Sequence, residues 1–170
     1  MKCLFNGLFI AISLMFVVSC DLIPTHVTVE FNYKKFREQK SQWNSSKPSN
    51  YQYNLVHWSN GYSFPVNTLI FVEDNNYKEQ ISHVDEYGYM YESSFYLTIT
   101  EIYESIEENY KRYNDAYLSK NYFYLKKIEI IYDTENHIPT EIKMYYHVPA
   151  NVADASSYAE TKISAYKVNN

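Results

Sequence analysis

The apolar and polar positions of this chain alternate between helical and extended periods. Across residues 31–43, Tyr33, Phe36 and Trp43 recur on one side while Lys34, Lys35, Glu38 and Gln42 surround them, which predicts a helix. Turn residues at 45–50, with Pro48 among them, stop it. Residues 51–58 read as a strand, and 67–72 with 77–84 as a hairpin around Asp74, Asn75 and Asn76. A second helix is announced by Thr98 and Glu101 at capping-box spacing. Behind that cap, Ile99, Ile102, Tyr103, Ile106, Tyr110, Tyr113 and Tyr117 recur every three or four residues and form one stripe, with Glu104, Glu107, Glu108, Lys111 and Arg112 on the wet side. Strands follow at 123–133 and 140–148, the second alternating Ile142, Met144, Tyr146 and Val148 against Glu141, Lys143, Tyr145 and His147. Residues 134–139 are the loop between them, and 158–168 a last strand.

Helix, three strands, helix, three strands is the order of an α+β domain. No residue-level repeat links the two halves, so the expected architecture is a single two-layer domain over residues 31–170: an antiparallel sheet of about six strands with both helices on one face.

The first thirty residues have another character. Lys2 is followed by an apolar run of about fifteen residues, the length of a secretory signal core and short of the roughly 20 a membrane span needs. The run ends in Val17-Val18-Ser19-Cys20, which resembles the lipobox of bacterial lipoproteins. That resemblance implies a signal peptide over residues 1–19, cleavage before Cys20 and lipid on its sulfur and amino group. Residues 20–30 then form a lipidated tether, reaching about 30 Å at ~3.3 Å per residue. Two acyl chains anchor stably where one does not. Cys3, the other cysteine, leaves with the signal, so no disulfide is expected. The implied location is the bacterial cell envelope, with Asp21 leaving inner and outer membrane both open.

Removing residues 1–19 takes away Lys2 and no acid, which leaves a net charge near −6. An acidic surface excludes a nucleic-acid footprint and electrostatic docking on anionic lipid. Twenty tyrosines run through the whole chain beside many Asn and Lys residues, a compositional bias more than a local signal. One stretch is denser: Tyr87, Tyr89 and Tyr91 share a face of an extended segment and are candidate partner-contact residues.

Several of these features also resemble an uncharacterised bacterial lipoprotein family, a domain of unknown function. They are Trp43 ending the first helix, Tyr51-x-Tyr53 opening the first strand, and the run Leu97-Thr98-Ile99-Thr100-Glu101-Ile102-Tyr103. Ile131-Tyr132-Asp133 followed by Ile138-Pro139 completes them. The resemblance implies fold and location and brings no activity. Relatives tend to carry a glycine near His137, and this chain has none there.

The usual catalytic signatures are missing from the sequence: it has no Gly-rich phosphate loop, no GxSxG and no HExxH. His26, His57, His83, His137 and His147 are scattered, and only His83-x-Asp85 puts two ligand types on one strand face, so no metal or other cofactor is expected. Glu107 and Glu108 read as solvated helix surface, and Ser93-Ser94 and Ser156-Ser157 as loop residues without a base. The expectation is a non-catalytic binding or envelope-assembly module, held to the membrane by its N-terminal lipid and meeting a protein or cell-wall partner. The alternative is an envelope enzyme or small-ligand binder with its site in the concavity of the sheet.

Overall fold

Strand β1 (Thr25–Val27) is followed by helix α1 (Tyr33–Ser46), then by β2 (Tyr51–Trp58), β3 (Val66–Glu73) and β4 (Asn76–Ser82). Helix α2 (Ile99–Tyr113), β5 (Ala116–Leu118), β6 (Tyr124–Asp133), β7 (Ile138–His147) and β8 (Tyr158–Val168) complete the chain. The computed structural model describes residues 24–58, 66–82, 98–119, 121–150, 152 and 157–169. Six strands form one antiparallel sheet in the order β4-β3-β2-β8-β7-β6, and β1 pairs separately with β5. The expected α+β architecture is the one observed. The last strand closes against the first strand of the sheet, which joins the two halves through β2 and β8.

Alternation along the strands decides which face is buried. Tyr51, Tyr53 and Leu55 point inward from β2 and lie opposite Val72, Ile70 and Thr68 of β3, while Leu55 also meets Ile163 of β8. On the same face β6 adds Leu125 and Ile128, and β7 adds Ile138 and Ile142. Both helices cover this face. Phe36 and Trp43 enter from α1, and Ile99, Ile102, Tyr103 and Ile106 from α2. Fully burying a side chain of this size contributes about 1.5–3 kcal/mol, so the rings of Trp43, Tyr51, Tyr53 and Tyr103 dominate the core. The polar ends of Tyr51, Tyr103 and Trp43 are hydrogen-bonded. The Tyr51 hydroxyl accepts from Ile99 N–H at 3.2 Å, Tyr103 donates to His137 carbonyl oxygen at 2.8 Å, and Trp43 Nε1 donates to Thr100 at 3.2 Å.

The opposite face of β7 and β8 is charged. Lys143 meets Glu141 at 3.0 Å and Glu160 at 3.7 Å, and Lys162 bridges the same two carboxylates at 3.7 and 3.3 Å.

Local chemistry explains the element ends. Asn32 caps α1 by accepting from Lys35 N–H, and Thr98 with Glu101 forms the reciprocal box expected at α2. Asp74 (φ 51°) and Asn75 (φ 63°) form the two-residue turn between β3 and β4, residue types that tolerate the left-handed region. His137 (φ 57°) occupies that region without being glycine.

Three placements differ from expectation. Residues 25–30 are incorporated into the fold rather than left as tether: β1 pairs with β5, Val27 and Val29 are buried, and Glu30 pairs with β6. Tyr117 is not on the α2 stripe, because the helix ends at Tyr113 and Asp115 (φ 59°) turns the chain into β5. Glu107 is not solvated helix surface, since its carboxylate faces α1, accepting from Tyr33 at 2.6 Å and bridging Lys40 at 2.7 Å.

Candidate functional site

The helices do not fill the whole inner face. Toward the C-terminal end of β2 a cleft of about 210 Å³ lies between α2 and the sheet. Its floor is Leu55 and His57 from β2, Ala159 and Thr161 from β8, and Ile142, Met144 and Tyr146 from β7. Its roof is Ile102, Ser105, Ile106 and Asn109, one stripe of α2 at helical spacing. Small side chains keep it open. Ala159, which pairs with Met144 in the sheet, and Ser105 on α2 each fill little space.

The polar groups gather at the β2–β8 seam in the middle of the sheet and along α2. His57 sits opposite Thr161 in register, and its Nδ1 is 2.9 Å from the Thr161 hydroxyl. Burial disfavours the imidazolium and lowers the His57 pKa below the usual histidine value, so this ring is neutral at pH 7. The Asn109 amide donates to Ser105 carbonyl oxygen at 2.9 Å, and Tyr146 places its hydroxyl 3.3 Å from the Met144 sulfur. Burial pushes the Tyr146 phenol up. Among the described lining residues there is neither a carboxylate nor a cationic side chain. Such a lining suits an apolar body with one or two hydrogen-bonding atoms.

The histidines stand apart. His26 lies 3.5 Å from Asp115, His137 Nδ1 lies 3.3 Å from Gln39, and His147 stacks on Tyr124. Among the described residues no group of three or more His, Cys, Asp or Glu side chains converges. Cys20, His83, Tyr87, Tyr89 and Tyr91 lie outside the described residues. Among the described residues no helix is long and apolar enough to cross a membrane.

The sequence carried a signal for the cleft: His57 continues the inward alternation of Tyr51, Tyr53 and Leu55, which puts it on the core face. Comparison with protein-family models, curated proteins and solved structures finds no match to this chain.

Proposed function

We propose that this chain is a lipid-anchored bacterial envelope protein whose folded domain is a non-catalytic binding module, holding a small, mainly apolar molecule in the cleft between α2 and the sheet. The lining of the cleft carries this reading: aliphatic side chains and Met144 surround it, and its hydrogen-bonding groups are neutral. A neutral imidazole beside a hydroxyl can orient a ligand alcohol, carbonyl or amide without an ionic partner. About 210 Å³ is room for a molecule of roughly six to nine heavy atoms, somewhat larger than the roughly 150 Å³ engineered cavities that take benzene. The anchor rests on Lys2, the apolar run and Val17-Val18-Ser19-Cys20.

Thermal unfolding of the mature domain with 1-hexanol, indole and benzoate tests the cleft. The reading expects hexanol and indole to raise Tm with saturation, benzoate to do little, and Ala159→Leu to abolish the rise. No saturable shift with any of the three refutes it. The anchor is tested by Cys20→Ala in the full chain, which should release the protein from membranes and remove the lipid mass.

A further inference from the structure

We infer that Tyr117, Tyr122 and Phe123, together with β1, form a membrane-docking surface that lays three aromatic rings into the lipid interface where the tether enters the fold. The inference rests on the lipid-anchor reading of Cys20 and adds an orientation to it. Tyr117, Tyr122 and Phe123 are exposed by 70%, 62% and 38%. Among the described residues these are the most exposed aromatic side chains, and they fall within seven positions of one another. The core does not use them.

Their position relative to the N-terminus is what selects the partner. Strand β1 runs antiparallel to β5, so Thr25 lies opposite Leu118 and His26 opposite Tyr117. Immediately after β5, Tyr122 N–H closes a turn onto Ser119 carbonyl oxygen at 2.9 Å, and β6 begins at Tyr124. The chain therefore enters the fold beside the turn that carries the exposed rings. Cys20 precedes Thr25 by five residues, at most about 18 Å of extended chain. A lipidated Cys20 holds this turn near the headgroups whatever path the intervening residues take.

Two of the three rings are also held in place. Phe123 stacks on Tyr146 with centroids 4.7 Å apart, and Tyr117 packs against His26 at 5.0 Å. Tyrosine suits this boundary, with its ring against acyl chains and its hydroxyl among headgroups. An acidic chain has no polybasic route to the surface, so the aromatic route is the one open to it.

The mature chain keeps no cysteine other than Cys20, so one introduced thiol can be labelled selectively once Cys20 is acylated. Full-length lipidated protein carrying Tyr122→Cys with an NBD fluorophore is reconstituted in phosphatidylethanolamine–phosphatidylglycerol vesicles. Ile131→Cys is the control, since Ile131 is 58% exposed but lies about 23 Å farther along β6 than Tyr124. Docking predicts a blue-shifted 122 label, quenched by 5-doxyl lipid, and a 131 label that lipid-borne quencher leaves at its aqueous emission. Replacing Tyr117 and Phe123 with serine should return the 122 label to the aqueous spectrum. Intact mass of the same samples reports lipidation separately. A lipidated protein whose 122 label escapes lipid quencher overturns docking alone, and shielding of that label from aqueous iodide would then show a protein occupant. A mass without lipid overturns the anchor and the docking together.

Discussion

The two helices are tied together by one carboxylate, and removing its charge has a calculable effect. Glu107 accepts from Tyr33 at 2.6 Å and meets Lys40 at 2.7 Å and Lys111 at 3.0 Å. Hydrogen bonding from Lys40 and then Tyr33 holds its pKa down to about 2 from the usual 4.5. The same contact with Glu107 pushes the Tyr33 phenol up to about 12. At about 1.4 kcal/mol per pKa unit, the full displacement corresponds to about 3 kcal/mol. The Glu107 side chain keeps 20% of its surface in solvent, so screening reduces this to about 1–2 kcal/mol. A depressed carboxylate stabilises the fold above its unfolded pKa and loses that contribution as pH falls from about 5 toward 2. Glu107→Gln should therefore cost about 1–2 kcal/mol at pH 7, and the gap from the parent protein should narrow steadily below pH 5. Urea unfolding followed by the fluorescence of Trp43 and Trp58, at pH 7, 5, 4 and 3, measures it. A cost below about 0.3 kcal/mol at pH 7, within the noise of ordinary surface substitutions, would refute the reasoning. So would a cost that stays constant down to pH 3.

Thr68 is buried, and its hydroxyl has no hydrogen-bond partner among the described residues, so Thr68→Val should stabilise by about 1 kcal/mol in the same urea assay. A loss of stability would show that the hydroxyl is satisfied. Thr98→Ala removes half of the capping box of α2 and should cost about 1 kcal/mol, with Thr98→Ser restoring most of it. His57 is buried as the neutral ring with a lowered pKa, so protonation opposes folding: its contribution is full above pH 6.5 and fades as pH falls through the lowered value. Relative to His57→Gln, the parent protein should lose stability on going from pH 7 to pH 5, and parallel pH curves would contradict this.

Much of the fold was legible in the chain because its strongest signals are periodic. The stripe of α2 and its Thr98–Glu101 box, the alternation of β2 and the Asp74–Asn75 turn all appear where the pattern puts them. The errors have local causes. Tyr117 keeps helical spacing, yet Asn114 and Asp115 break the helix first, and a three-residue strand is too short for alternation to announce. The Thr25–Val29 run is β-branched and alternating, but its nearness to the apolar N-terminal run made it read as tether. Glu107 looked solvated because helical spacing describes one helix and says nothing of where α1 crosses it. The cleft was hidden for the same reason. It exists because β8 inserts between β2 and β7, which brings His57 to Thr161 across more than a hundred residues, a long-range pairing that no local pattern encodes.

Binding in the cleft is the central claim, and methyl NMR tests it most directly. The protein, labelled at isoleucine and methionine methyls, is titrated with 1-hexanol. The account predicts saturable shifts at Ile102, Ile106, Ile142 and Met144, which line the cleft, and none at exposed Ile131. Shifts that do not saturate, or that reach Ile131 as strongly as Ile106, would contradict it.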